Sequence, residues 1–190
     1  FFVSRWDVRF AEQIPDEHHG MFANSITIRA YNEDFRRLFV DSADFQMLQE
    51  QGANVQDFLL ASTGSKADKM PEPVRAKYPV DVYVSAVQGP YVVNTLPIST
   101  LDYLKTADIK PESTIITNAG RARDILDAMQ AQGVDIDHEG EQLFYEGLDA
   151  FVKDFEDVQR DINDIVTLVL YTFLEDKKGA GYEKSLQKNN

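Results

Sequence analysis

The residues best spaced for chemistry lie between Asp135 and Glu146, in the run DIDHEGEQLFYE. Asp135, Asp137 and Glu139 alternate ahead of Gly140, and Glu146 closes the window. A hard cation takes about six to eight oxygens, and alternate carboxylates around a glycine turn can provide them. The same residues have a plainer use: Asp137 or His138 caps a following helix, and the early carboxylates favour its positive end. Asp16-Glu17-His18-His19 gathers two carboxylates and two imidazoles, donors that suit zinc. Adjacent side chains rarely converge on one ion, so this run reads as an exposed turn. No nucleophile stands in a G-x-S-x-G elbow. Ser62-Thr63-Gly64-Ser65-Lys66 has a glycine and a lysine without the remaining spacing of a phosphate loop, and reads as linker.

The window Asp135 to Glu146 resembles the calcium loop of the EF-hand family over twelve residues. Asp135, Asp137 and Glu139 stand at the first, third and fifth positions, Gly140 at the turn and Glu146 at the twelfth. The resemblance implies calcium held by Asp135, Asp137, Glu139 and Glu146. The fifth position carries Glu in place of Asp or Asn, the eighth carries Gln142 in place of an aliphatic residue, and no second loop of this form occurs in the chain. No other cofactor is expected.

The elements that must position these residues follow from periodicity. Trp6, Val8 and Phe10 alternate with charged residues, and Ser25 to Tyr31 (SITIRAY) repeats the alternation, so both read as strands. Val80 to Val93 alternates and is broken at Gln88-Gly89-Pro90, which reads as a hairpin. Asn32 is expected to cap a helix, Asp41 or Ser42 the next, and Ser99 or Thr100 a short one. Ser113 to Thr117 reads as a brief strand and Asn118 or Thr117 as the cap of a helix that stops at Gly133. The residues Ser62 to Pro79 read as an exposed, linker-like loop. Six of the seven prolines fall between Pro71 and Pro111, leaving the later residues open to uninterrupted helix.

From about residue 140 to 177 a single amphipathic helix is expected, roughly 55 Å long at 1.5 Å per residue. Its apolar residues Phe144, Leu148, Phe151, Phe155, Val158, Ile162, Ile165 and Val169 alternate spacings of four and three, an a/d heptad series. They are the expected interface. Around them Asp154 to Asp164 carries a charged stripe. The expectation is an α+β fold: a small antiparallel sheet from the N-terminal strands and the 80–93 hairpin, packed with helices and dominated by the long final one. An α/β arrangement is the runner-up. Residues 1–178 are read as one domain and 179–190 as a flexible tail.

The 190 residues include 19 Lys and Arg against 32 Asp and Glu, for a net charge of −13. Such a surface repels phosphate backbones, so nucleic acid is not an expected partner. No run reaches the roughly 18 apolar residues of a membrane span. No basic stretch followed by an apolar one opens the chain, so no targeting segment is expected. With no cysteine, thiolate catalysis is excluded. Without a recognisable catalytic set, the composition and the long helix point to a non-catalytic assembly subunit, such as a virion or secretion-apparatus component, with a protein partner or a second copy on the heptad face. The alternatives are an acidic inhibitor or immunity-type protein that binds a basic partner through the stripe, and a metal-dependent hydrolase.

Overall fold

The structure, a computed structural model, describes the backbone of residues 1–187 and the side chains of residues 1–173. It divides into two compact units, Phe1–Asp135 and Ile136–Asn190.

The first unit is built on parallel pairing. Strand β1 (Phe58–Leu60) lies beside β2 (Val92–Asn94), with Phe58 opposite Val92 and Leu60 opposite Asn94. The first residues of the chain continue the ladder on the other side, through a parallel bridge between Phe2 and Ala61. There the Val3 N–H donates to the Ala61 carbonyl at 2.9 Å and the Ser4 N–H to that of Ser62 at 3.0 Å. The fold class is therefore α/β, with helices between parallel segments, and the expected antiparallel α+β sheet is absent from the described residues.

The three segments expected to form that sheet fail for separate reasons. Trp6 and Phe10 lie in and beside helix α1 (Arg5–Arg9), where a spacing of four residues puts their rings on one face, stacked with centroids 6.5 Å apart. Period two and period four coincide in so short a run. Ser25 to Tyr31 begins in helix α2 (Phe22–Arg29), which is buried on every side, so alternation carries no information about it. The Ser25 hydroxyl donates to the Met21 carbonyl at 2.8 Å and that of Thr27 to the Ala23 carbonyl at 3.0 Å. Each polar side chain is thus satisfied within its own helix and can enter the core. The helix runs on through π-helical Ala30–Val40, with Asn32 inside it and its amide donating to the Ile28 and Ile115 carbonyls.

Ser42 caps α3 (Ala43–Glu50) by accepting the Phe45 N–H at 3.1 Å, as its position suggests. In place of the 80–93 hairpin, Val82–Ser85 forms the short helix α4, and only the later half enters a sheet, as β2. Helix α5 (Ile98–Leu104) follows, and Ser113 to Thr117 is not a strand but the turn leading into and forming α6 (Thr114–Thr117). Helix α7 (Ala119–Ala131) ends ahead of Gly133, whose φ of 90° suits a glycine stop. Ala122, Ile125, Leu126 and Met129 form its buried face.

The run 62–79 buries Thr63, Met70, Val74 and Tyr78 and contains two 3-10 turns, so it is packed against the unit and is not an exposed loop. The second unit is one helix, α8 (Ile136–Gln187). Of the expected tail 179–190, the backbone through Gln187 is helical and residues 188–190 lie outside the described residues. Among the described residues no helix is long and apolar enough to cross a membrane.

Candidate functional site

In open parallel sheets, ligands are bound beyond the carboxyl ends of the strands, where side chains from successive loops converge. Here those ends carry Ser4, Ser62 and Thr95. The Ser4 and Ser62 hydroxyls are 2.8 Å apart, and Ser62 holds a φ of 56°, a left-handed conformation uncommon outside glycine. Thr95 ties the third segment in, its N–H and its hydroxyl both donating to the Leu60 carbonyl, at 2.9 and 2.8 Å. The Thr63 hydroxyl in turn donates to the Thr95 carbonyl. Arg5, directly after Ser4, stacks its guanidinium 4.8 Å above the Phe2 ring. Lys66 follows Ser62 in the same turn, whose Ser65 hydroxyl donates to the Tyr78 carbonyl at 2.7 Å. Arg5 and Lys66 are half-buried, and no carboxylate pairs with either among the described residues.

Beneath these ends lies a buried polar layer. Asp7 is fully enclosed; one carboxylate oxygen accepts the Ala23 N–H at 3.1 Å and the other the Tyr83 hydroxyl at 2.8 Å. Burial pushes the Asp7 carboxyl up to about 6, against the opposing pull of those two hydrogen bonds. Tyr83 is raised well above the ordinary phenol range, first by burial and then by the Asp7 charge. The Tyr83 carbonyl accepts from the Asn94 amide at 3.1 Å, which carries the layer to the end of β2. Asn24 donates to the Gly20 and Val82 carbonyls, both at 2.9 Å.

The residues expected to do chemistry are placed elsewhere. His19 turns into the core with its Nδ1 2.8 Å from the Tyr78 hydroxyl, while Asp16 and Glu17 stay at the surface, so the four do not converge. Burial lowers the His19 pKa. The window Asp135 to Glu146 is helical from Ile136 onward and Gly140 makes no turn, so Asp135, Asp137, Glu139 and Glu146 are strung along a rod. Among the described residues no group of three or more His, Asp or Glu is placed to hold a metal ion. Phe144, Leu148, Phe151, Phe155, Val158, Ile162, Ile165 and Val169 are all exposed along α8, from 50% at Leu148 to 64% at Phe144. Sequence reasoning passed over Ser4 and Arg5 and took Ser62 to Lys66 for a linker. The available signal was a serine followed closely by a basic residue in each segment, but only the parallel pairing brings the two serines together.

The family model described as "Transaldolase/Fructose-6-phosphate aldolase" matches residues 1–162. The chain is 32% identical over 157 residues to the transaldolase of Neisseria gonorrhoeae, covering 82% of this chain and 41% of that protein. It is 30% identical over 161 residues to the transaldolase of Mycobacterium ulcerans (80% and 40%), and 32% identical over 168 residues to that of Thermobifida fusca (83% and 42%). The chain spans about two fifths of the length of the curated relatives it matches. An enzyme family across this span overturns the expected non-catalytic assembly subunit, virion or secretion component, and with it the acidic inhibitor and the metal-dependent hydrolase. Composition and net charge describe the surface, and a site made of a few converging side chains leaves no mark on either.

Proposed function

We infer that this chain, which belongs to the transaldolase/fructose-6-phosphate aldolase family, takes part in making or breaking a carbon–carbon bond beside the carbonyl of a sugar phosphate, and that its strand ends hold the phosphate. The contact of Ser4 with Ser62 at the carboxyl ends of two paired parallel segments, with Arg5 directly after the one and Lys66 four residues after the other, carries this reading. A chain with a net charge of −13 repels an anion almost everywhere. Arg5 and Lys66, two half-buried cations without carboxylate partners among the described residues, reverse that locally, and each can donate charge-assisted hydrogen bonds to phosphate oxygens. Gripping a group remote from the reacting carbons is useful chemically, because that binding energy orients the rest of the substrate. Asp7, with both oxygens engaged below the surface, supports the site and does not face the substrate.

Calorimetry on the intact chain with inorganic phosphate and with fructose 6-phosphate tests this. Lys66→Ala and Arg5→Ala are each expected to weaken both ligands about tenfold, the loss of one charge-assisted bond. Affinities equal to that of the unaltered chain in both variants refute it.

We also propose that α8 pairs with a second copy of itself, in parallel. Its a/d residues from Phe144 to Val169 are exposed. In the same heptads Asp154 and Asp161 take g positions and Gln159 and Val166 take e positions, so parallel copies set no like charges face to face, whereas antiparallel copies bring the two aspartate rows together. Sedimentation should show a dimer that Phe155→Asp and Ile162→Asp convert to a monomer; a monomeric unaltered chain overturns the pairing.

A further inference from the structure

We propose that Asp7 is a positioning residue for the strand-end site: by clamping α1 to α2 and α4, it sets the direction in which Arg5 presents its side chain. This rests on the phosphate-holding reading of that site.

Helix α1 has five residues, Arg5–Arg9, too few to persist on hydrogen bonds of its own. The bond from the Ser4 N–H to the Ser62 carbonyl fixes where it starts, and its rotation beyond that point must come from what it packs against. Trp6 and Phe10 bury their rings on one side, but apolar burial is non-directional and tolerates rotation of the helix about its axis. Asp7 removes that freedom. It is the one buried carboxylate among the described residues, and its two oxygens reach two different elements: the Ala23 N–H in the first turn of α2, and the Tyr83 hydroxyl on α4. Two bonds in different directions fix both the depth and the rotation of the turn.

The clamp also has a far end. Tyr83 passes the constraint on through its carbonyl to Asn94, the last residue of β2, and Thr95 beyond it is bonded back to Leu60 of β1. Asp7 therefore registers α1 against the same strand termini that carry Ser62 and Lys66. Because Arg5 stands two residues before Asp7 in the same short helix, rotation of the helix moves it, whereas Ser4 is held directly by its backbone bond to Ser62. A misplacement of about 1 Å in such a group can cost on the order of a hundredfold in the process it serves. Keeping a carboxylate here costs stability, since burial opposes its charge. Packing alone asks for no such group.

The test uses the intact chain, inorganic phosphate as ligand, calorimetry for affinity and urea unfolding for stability. Asp7→Leu, which keeps the branched shape in a bulkier form and removes both acceptors, is expected to weaken phosphate about tenfold or more. Tyr83→Phe, which removes one donor and keeps the ring, is expected to weaken it about threefold. Asp7→Asn should restore affinity to within about twofold, because its amide oxygen can accept from Ala23 and its amide nitrogen can donate to the Tyr83 hydroxyl. Trp6→Phe is the control: it lowers stability by trimming the apolar face of the same helix and should leave affinity unchanged. Asp7→Leu and Tyr83→Phe binding phosphate as well as the unaltered chain overturns the positioning role alone. So does an affinity loss in Trp6→Phe that matches its loss of stability. If the unaltered chain binds no phosphate, the phosphate-holding reading falls and takes this role with it.

Discussion

Replacing Asp7 by Asn should remove the fall in stability that this group imposes as pH rises from about 4 to about 6. In the folded chain the Asp7 carboxyl is held at about 6, against 3.8 in the open chain, and the cause is burial. Between those two values the folded state keeps a proton that the unfolded state has released. Stability from this group is therefore complete below pH 3.8, falls as pH rises, and is lost above about 6. The whole change is about 3 kcal/mol, at about 1.4 kcal/mol for each pH unit separating the two values. Tyr83 bonds this carboxylate and the Tyr78 phenol lies within its electrostatic reach; both are raised well above neutrality and stay uncharged across the window. Asn has nothing to ionise and can keep both hydrogen bonds. Asp7→Asn should match the unaltered chain near pH 4 and exceed it near pH 7 by up to about 3 kcal/mol, a shift of about 1 to 2 M in the urea midpoint. Urea unfolding of both chains in steps from pH 4 to 7.5, followed by circular dichroism, measures the difference. Parallel curves would refute the reasoning, since they would mean that Asp7 carries the same charge in both states throughout.

Two further perturbations read the framework around the site. Gly20→Ala should cost more than about 2 kcal/mol in urea unfolding, because its φ of 79° disfavours a side chain and an added Cβ would stand 2.2 Å from the Lys77 carbonyl oxygen. Ser42→Ala removes the side chain that accepts the Phe45 N–H and should cost about 1 kcal/mol by the same assay, with phosphate affinity unchanged.

The sequence by itself determined the features whose causes are local. The Ser42 cap, the glycine stop at Gly133 and the long final helix each follow from a few neighbouring residues and their spacing. The strands did not, because pairing is a property of partners. Residues Phe58 to Leu60 carry no alternation that marks them, and they became a strand by lying between Phe2 and Val92, each more than 30 residues away along the chain. In the same way SITIRAY looks like a strand until α2 is seen to be enclosed on all sides, with each hydroxyl bonded to its own helix. The site belongs with the strands. Ser4 and Ser62 are 58 residues apart, and nothing near either one along the chain says that their hydroxyls touch. Only tertiary structure decides that, because hydrogen bonds between parallel segments are made across a connection whose length and course no local preference specifies.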